Sequence, residues 1–146
     1  MKGFNPNGGQ TSTNSGIIFG SQERHNSIMI NMDCMSKNDS FTVSNTNGNG
    51  KLTYPVGLLT SDEVNMAGAN GNSNSNYYLN TNQKYRLLSP SYFLISYGTY
   101  GFSVNTTGSI SDSRVDNIDG VRPSISLKQG LTWSGEGTAS NPYQVS

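Results

Sequence analysis

The sequence predicts an α+β domain with a mostly antiparallel sheet, few helices and long loops. Runs in which apolar and polar residues alternate are separated by turns rich in Gly and Asn, a pattern typical of antiparallel strands. One stretch carries the start and stop signals of a helix. The 146 residues suffice for one domain with a single core. Because residues 1–16 lack an apolar pattern, we expect a flexible N-terminal arm there and a single domain over residues 17–146.

The helix signals lie in the stretch TSDEVNMAG. Thr60 or Ser61 can cap a helix, and Glu63, three residues after Thr60, can close a capping box. Apolar residues within 64–67 (Val, Met and Ala) supply a buried face, and Gly68 ends the segment. This stretch therefore predicts a short helix that begins near residue 61.

Several stretches carry the pattern of strands. Residues 52–59 indicate an edge strand, since a proline interrupts their apolar run. Residues 100–104 alternate, turn through Asn105–Gly108 and return over residues 109–111, which predicts a hairpin. Residues 121–127 alternate again, and the C-terminal stretch predicts two short strands around a Gly-rich turn.

The composition of the chain indicates which classes of binding partner to expect. Charged residues make up only 12% of the chain and the net charge is zero, so the sequence lacks the basic surface needed for nucleic acid or acidic membranes. The 17 Gly and 8 Tyr, with many Asn, Ser and Thr, are typical of extracellular binding surfaces. An AT-rich genome would also raise Asn and Tyr, but Lys is not raised. We therefore expect an extracellular or cell-surface protein.

The reactive residues are few. Cys34 is the single cysteine and His25 the single histidine, so an intrachain disulfide and a Cys/His metal site are excluded. We expect Cys34 to be a partly buried thiol, with an intermolecular bridge as the alternative, and His25 to lie on the surface. The sequence carries no hydrolase elbow or phosphate loop, so we expect no enzyme. It shows neither an apolar run of membrane-spanning length nor the apolar centre of a signal peptide, so we expect the export signal to lie outside this chain.

Five stretches between Asp39 and Val145 carry distinctive motifs: Phe41–Val64 (FTVSNTNGNGKLTYPVGLLTSDEV), Asn76–Leu79 (NYYL), Tyr85–Phe93 (YRLLSPSYF), Gly120–Lys128 (GVRPSISLK) and Gly135–Val145 (GEGTASNPYQV). In these stretches and their order, this part of the chain resembles a domain common in uncharacterised surface proteins of Firmicutes and related gut bacteria. That family carries at least two cysteines upstream of this region, and the disulfide which the resemblance implies is absent here. Several of its members begin with a pilin-like or signal-anchor segment.

The order of these motifs is also similar to the C-type lectin-like fold, the formylglycine-generating-enzyme-like domain and the variable receptor-binding proteins of diversity-generating retroelements. The resemblance implies a lectin-like fold with GVRP on a late central strand. There Gly120 would adopt a φ unfavourable for other residues, Arg122 would satisfy carbonyls or a carboxylate, and Pro123 would end a hydrogen-bonded run. Ile125 and Leu127 would then enter the core. Direct ligand contact by Arg122 is the alternative.

The same resemblance places the ligand face between the SPSY and GVRP motifs, over residues 92–119. The candidate ligand-binding residues are Tyr92, Tyr97, Tyr100, Ser111, Ser113, Asp116 and Asn117. The alternative is that the tyrosines only pack along their strands. Asp112, Asp116 and Asp119 are candidate calcium ligands. However, Arg114 lies among them, which favours a solvated turn, and the sugar-binding motifs of calcium-dependent lectins are absent.

We therefore expect a non-catalytic extracellular or surface-attached module that binds a glycan or protein ligand, with no cofactor unless calcium binds. One alternative is a structural or tip subunit of a pilus-like filament, joined by strand addition. A second alternative is a variable receptor-binding protein of a diversity-generating retroelement or phage.

Overall fold

The structure is a computed structural model. It describes residues 10–13, 16–33, 53, 56–125, 127, 130–138 and 140–145. The predictions made for Cys34, for residues 1–9 and for most of the segment 41–55 lie outside these described residues.

Within the described ranges the chain forms strands with two short helices. The elements are β1 (Gln10–Thr13), β2 (Gly16–Phe19), α1 (Gly20–Asn26), β3 (Gly57–Leu58), α2 (Ser61–Met66), β4 (Tyr85–Leu94), β5 (Gly98–Val104), β6 (Ile110–Arg114), β7 (Pro123–Ser124), β8 (Trp133–Ser134) and β9 (Gln144–Val145). Five strands form one antiparallel sheet in the order β1-β2-β4-β5-β6, and β3-β7 and β8-β9 form two smaller antiparallel pairs. The predicted α+β class with a mostly antiparallel sheet is confirmed. Neither described helix has the length and apolar character needed to cross a membrane.

Helix α2 begins with the predicted capping box. The Thr60 hydroxyl accepts a hydrogen bond from the Glu63 amide at 3.2 Å, and the Glu63 carboxylate accepts one from the Thr60 amide at 2.7 Å. Gly68, at φ +114°, follows the helix end as predicted. The prediction that Met66 lies on the buried face is wrong, because in so short a helix Val64 faces the sheet while Met66 is 61% exposed.

The core lies between the two helices and one face of the five-stranded sheet, which we call the helix face. The buried apolar residues there are Val64, Ala69, Tyr77, Tyr85, Leu87, Phe102, Val104 and Ile110. Side chains alternate across a strand, so Gly101 and Ser103 of β5 and Ser111 and Ser113 of β6 point to the other side, which we call the loop face. A bidentate ion pair between Arg24 of α1 and Asp62 of α2, with both N–O distances 2.8 Å, joins the helices above the core.

Both predicted hairpins are confirmed. In the first, β5 pairs with β6 in the register Tyr100↔Arg114 to Val104↔Ile110, and its turn ends at Gly108 with φ +80°. In the second, Trp133 and Ser134 pair with Val145 and Gln144.

Two boundaries differ from the predictions. Part of the predicted arm, Gln10–Thr13, is strand β1, because backbone hydrogen bonds to β2 hold it without any need for an apolar pattern. Among the described residues of the predicted strand 121–127, only Pro123–Ser124 forms a strand, and its partner is the two-residue strand β3. The two-stranded pair does not cover the residues that follow, and Ile125 and Leu127 are 64% and 44% exposed instead of buried.

Candidate ligand-binding site

Two tyrosines from neighbouring strands form a stacked pair on the helix face. Tyr92 lies near the end of β4 and Tyr100 lies in β5, and their ring centroids are 4.4 Å apart with an interplanar angle of 25°. The register of β4 against β5 shifts on both sides of Pro90, and such bulges change the direction of the side chains that follow. Both residues are half-buried, so part of each ring reaches solvent. We call these two residues the tyrosine pair.

A carboxylate lies beside the tyrosine pair. Asp112 of β6 is opposite Phe102 in the sheet register, so it shares the helix face with Tyr100. The residue as a whole is exposed, but partial burial of its carboxyl group raises its pKa, an effect that the Ser91 hydroxyl and the charge of His25 oppose. Burial, and then the charge of Asp112, raise the pKa of Tyr92. The two side chains are therefore close enough to interact electrostatically.

His25 closes the inner side of this site. Its ring packs against Phe102 with the centroids 5.1 Å apart, and the residue is half-buried. The prediction that His25 lies in a surface loop is wrong, because α1 lies against the sheet and carries the imidazole onto the core. Its Nδ1 is buried without a hydrogen-bond partner among the described residues.

A second acidic residue, Asp116, is already paired. Arg114, opposite Tyr100 in the register, donates two hydrogen bonds to the Asp116 carboxylate, at 2.9 and 2.6 Å. The Arg114 hydrogen bond lowers the pKa of Asp116, which is exposed. The charges of this arginine and this aspartate thus neutralise each other at the border of the site.

The predicted serines lie on the loop face instead. The Ser113 hydroxyl donates to Asp119 at 2.9 Å and accepts from the Asn117 amide at 3.2 Å. The Ser111 hydroxyl accepts from Asn105 at 2.9 Å. The structure therefore separates Ser111, Ser113 and Asn117 from the tyrosine pair and engages all three in hydrogen bonds within the protein.

Asp119 is the centre of an ion-pair network on the loop face. Its side chain is 1% exposed, and its oxygens lie 2.8 Å from the Lys84 ammonium and 2.6 Å from the Arg86 guanidinium. Burial alone would raise the pKa of Asp119, but the hydrogen bonds from Lys84 and Ser113 and the charges of Arg86 and Lys84 together lower it. Arg86 also donates to the Ser113 carbonyl at 2.9 Å and the Arg114 carbonyl at 2.7 Å, which ties β4 to β6 and its following loop.

The three candidate calcium ligands do not come together. Asp112 lies on the helix face, Asp116 is exposed and paired with Arg114, and Asp119 is buried on the loop face. Over the described parts of the chain, no three acidic, histidine or cysteine side chains form a group that could hold a metal ion.

The last predicted ligand residue, Tyr97, lies in the turn between β4 and β5 and is exposed. A mostly apolar groove of about 330 Å³ lies on the loop face, where Arg86, Pro90 and Gly101 contribute to its lining. Tyr100 also borders it, but its ring stacks on Tyr92 on the helix face, so the groove and the tyrosine pair lie on opposite sides of the sheet.

Arg122 of the GVRP motif contacts two other parts of the chain. The Arg122 guanidinium donates to the Leu79 carbonyl, as predicted, and lies 5.0 Å above the centre of the Tyr85 ring. The prediction that position 120 needs glycine because of an unfavourable φ is wrong, since the φ of Gly120 is not positive. A Cβ atom there would lie 2.5 Å from the Lys84 carbonyl oxygen, so glycine is needed for close approach of two backbones. Pro123 lies in β7 opposite Leu58.

The sequence alone predicted Asp112 as a calcium ligand. It also grouped Tyr92 and Tyr100 with serines that lie on the opposite face of the sheet as candidate ligand-binding residues. The alternation of side chains along β6 could have corrected this, because Asp112 must point to the opposite face from Ser111 and Ser113. Comparison of the chain with family models, with curated proteins and with solved structures finds no match.

Proposed function

We propose that this chain is a non-catalytic, extracellular or surface-attached binding module, and that its ligand contacts Tyr92, Tyr100 and Asp112. The observation that carries the proposal is the stacked, partly exposed tyrosine pair beside a carboxylate. Tyrosine offers a flat apolar surface with a polar tip, which suits the CH face of a sugar ring or an apolar side chain. A hydrogen-bonding group next to such a surface fixes the orientation of the ligand.

The composition of the chain supports the same kind of recognition. The near-neutral chain, rich in Tyr, Asn and Ser, fits recognition through neutral contacts and hydrogen bonds. A glycan or a protein surface is therefore the ligand class that we propose, on a lectin-like scaffold related to the bacterial surface proteins named above.

The environment of the nearest hydroxyl and imidazole favours binding over catalysis. Ser91 is fully buried in the sheet, where a substrate could not reach its hydroxyl. His25 is held against Phe102 by ring packing. A nucleophile and its base must both reach the reacting group, and Ser91 and His25 do not offer that geometry.

A glycan array probed with the labelled full chain tests the proposal. We expect at least one glycan to bind, and Tyr100→Ala to weaken that binding by about tenfold or more, as for an aromatic residue at the centre of a contact. Tyr78→Ala is the matched control, since Tyr78 is 79% exposed and lies outside the tyrosine pair.

Equal effects of the two substitutions would place the ligand elsewhere and overturn the proposed face. A blank array combined with concentration-dependent self-association of the chain would favour the filament alternative. Circular dichroism of each variant separates loss of binding from loss of fold.

A further inference from the structure

We propose that the group recognised by this site is a primary ammonium, held against the Asp112 carboxylate and an outer ring face of the stacked tyrosine pair. The inference rests on the proposed function, because it assigns the chemistry of the ligand at the same site. It follows from the distribution of charge among the described acidic residues.

Four of the described acidic residues are matched to donors within the protein. Asp62 pairs with Arg24, Asp116 with Arg114, and Asp119 with Lys84 and Arg86, all at 2.6 to 2.8 Å. Glu63 accepts the hydrogen bonds of its capping box. For Asp112, which shares the helix face with Phe102 and Tyr100, the described part of the chain provides no lysine or arginine within ion-pairing distance.

The groups around Asp112 are aromatic and polar. Tyr92 of β4 and Tyr100 of β5 stack on each other, and the outer π-face of such a pair attracts cations. Arg114, two residues further along β6, directs its charge to Asp116 at 2.6 Å. His25 of α1 and the hydroxyl of Ser91 are the polar groups on the inner side. A ligand cation would thus complete an ion pair that the described residues leave open.

A carboxylate beside two aromatic rings matches a compact ammonium group, which can be held by a charge-assisted hydrogen bond and by cation–π attraction together. Two sources supply such a group: the protonated amine of an amino sugar and the side chain of a lysine. A neutral sugar would meet the same rings but would leave the charge of Asp112 uncompensated.

Matched probes test the assignment by calorimetry and by NMR of the full chain at pH 7. The sugar arm compares D-glucosamine with D-glucose and with N-acetyl-D-glucosamine, which differ at one position of the same ring. The peptide arm compares Nα-acetyl-lysine methylamide with its Nε-acetylated form. We expect the charged member of at least one arm to bind about tenfold more tightly than its neutral partners, with shifts at the Tyr92 and Tyr100 signals.

The substitution Asp112→Asn should remove this preference while leaving the fold intact. Asp33→Asn is the matched control, because it removes an exposed carboxylate that is not one of the site residues. A preference that survives in Asp112→Asn would overturn the assignment, as would equal, detectable binding of the charged and neutral members in both arms. In the second case the proposed binding face would stand, since the neutral sugar would still occupy it. Unchanged tyrosine signals with every probe would also overturn the assignment, and the glycan array would then decide the proposed function by itself.

Discussion

Asp112 and Asp119 are close in the chain but lie in opposite environments. Asp119 is buried on the loop face, where Lys84, Arg86 and Ser113 surround its carboxylate and lower its pKa against the effect of burial. Asp112 lies on the helix face beside the tyrosine pair, and partial burial raises its pKa.

The difference separates a structural carboxylate from a candidate binding carboxylate. A buried charge that is fully paired holds elements together, and at Asp119 these elements are β4, β6 and the loop that follows β6. A charge that is partly desolvated and not paired by the protein is unfavourable unless it serves another purpose, and binding sites are where such charges gather. Four substitutions test this contrast.

The largest effect is expected for Asp119→Asn. Removing one member of a buried ion pair leaves its partners uncompensated, so the free energy of unfolding should fall by about 3 kcal/mol. The pKa of Asp119 is lowered from 3.8 in the folded protein, so its contribution is present above that value and is lost as pH falls through the folded pKa. Urea unfolding of the unsubstituted chain and of Asp119→Asn should show that the difference in free energy of unfolding shrinks as the pH is lowered from 7. A difference independent of pH would contradict the ion-pair explanation.

Gly120→Ala should have the next largest effect, because Gly120 brings the chain beside Asp119 into contact with β4. Its Cβ would lie 2.5 Å from the Lys84 carbonyl oxygen, so the backbone must move and the free energy of unfolding should fall by about 2 kcal/mol. Gly57→Ala is the control, since a Cβ there meets no atom within 4 Å. Equal denaturation midpoints for the two variants would show that the close approach is not needed for stability.

Asp112→Asn should leave stability unchanged or slightly increased at pH 7, the opposite of Asp119→Asn. The folded pKa of Asp112 is raised from 3.8, so the folded state holds its proton more firmly, and ionisation at higher pH works against folding. The variant removes that penalty. Thermal unfolding at pH 4 and pH 7 should show its advantage only at the higher pH, and a clear loss of stability at pH 7 would make Asp112 a structural residue.

Asp116→Asn should have the smallest effect, with no measurable change in unfolding midpoint. The Arg114–Asp116 pair is exposed, and ion pairs of this kind contribute little. Thermal unfolding of both proteins should be measured in low and high salt. A midpoint that is lower for Asp116→Asn at low salt only would show that the Arg114–Asp116 pair contributes more to stability than its exposure indicates.

Features that depend on neighbours in the chain were predictable. The capping box at Thr60 and Glu63 uses residues three positions apart, and the β5–β6 hairpin uses a turn of four residues, so both could be inferred before any tertiary structure was considered. The candidate site was predictable only in part. The sequence predicts Tyr92 and Tyr100 as candidate ligand residues, and the structure stacks their rings, whereas the sequence predicts Asp112 only as a calcium ligand.

The sequence by itself determined the α+β class, the α2 helix, both hairpins and the zero net charge, because each follows from local pattern or composition. Only the tertiary structure decided that Ile125 and Leu127 lie outside the core, that His25 packs on Phe102, and that Asp119 meets Lys84 and Arg86. These contacts join segments far apart in the chain, and an alternating pattern does not specify which segment will lie beneath it. The opposite environments of Asp112 and Asp119 arise in the same way. They depend on which side of the sheet each residue faces and on which distant segments pack against that side.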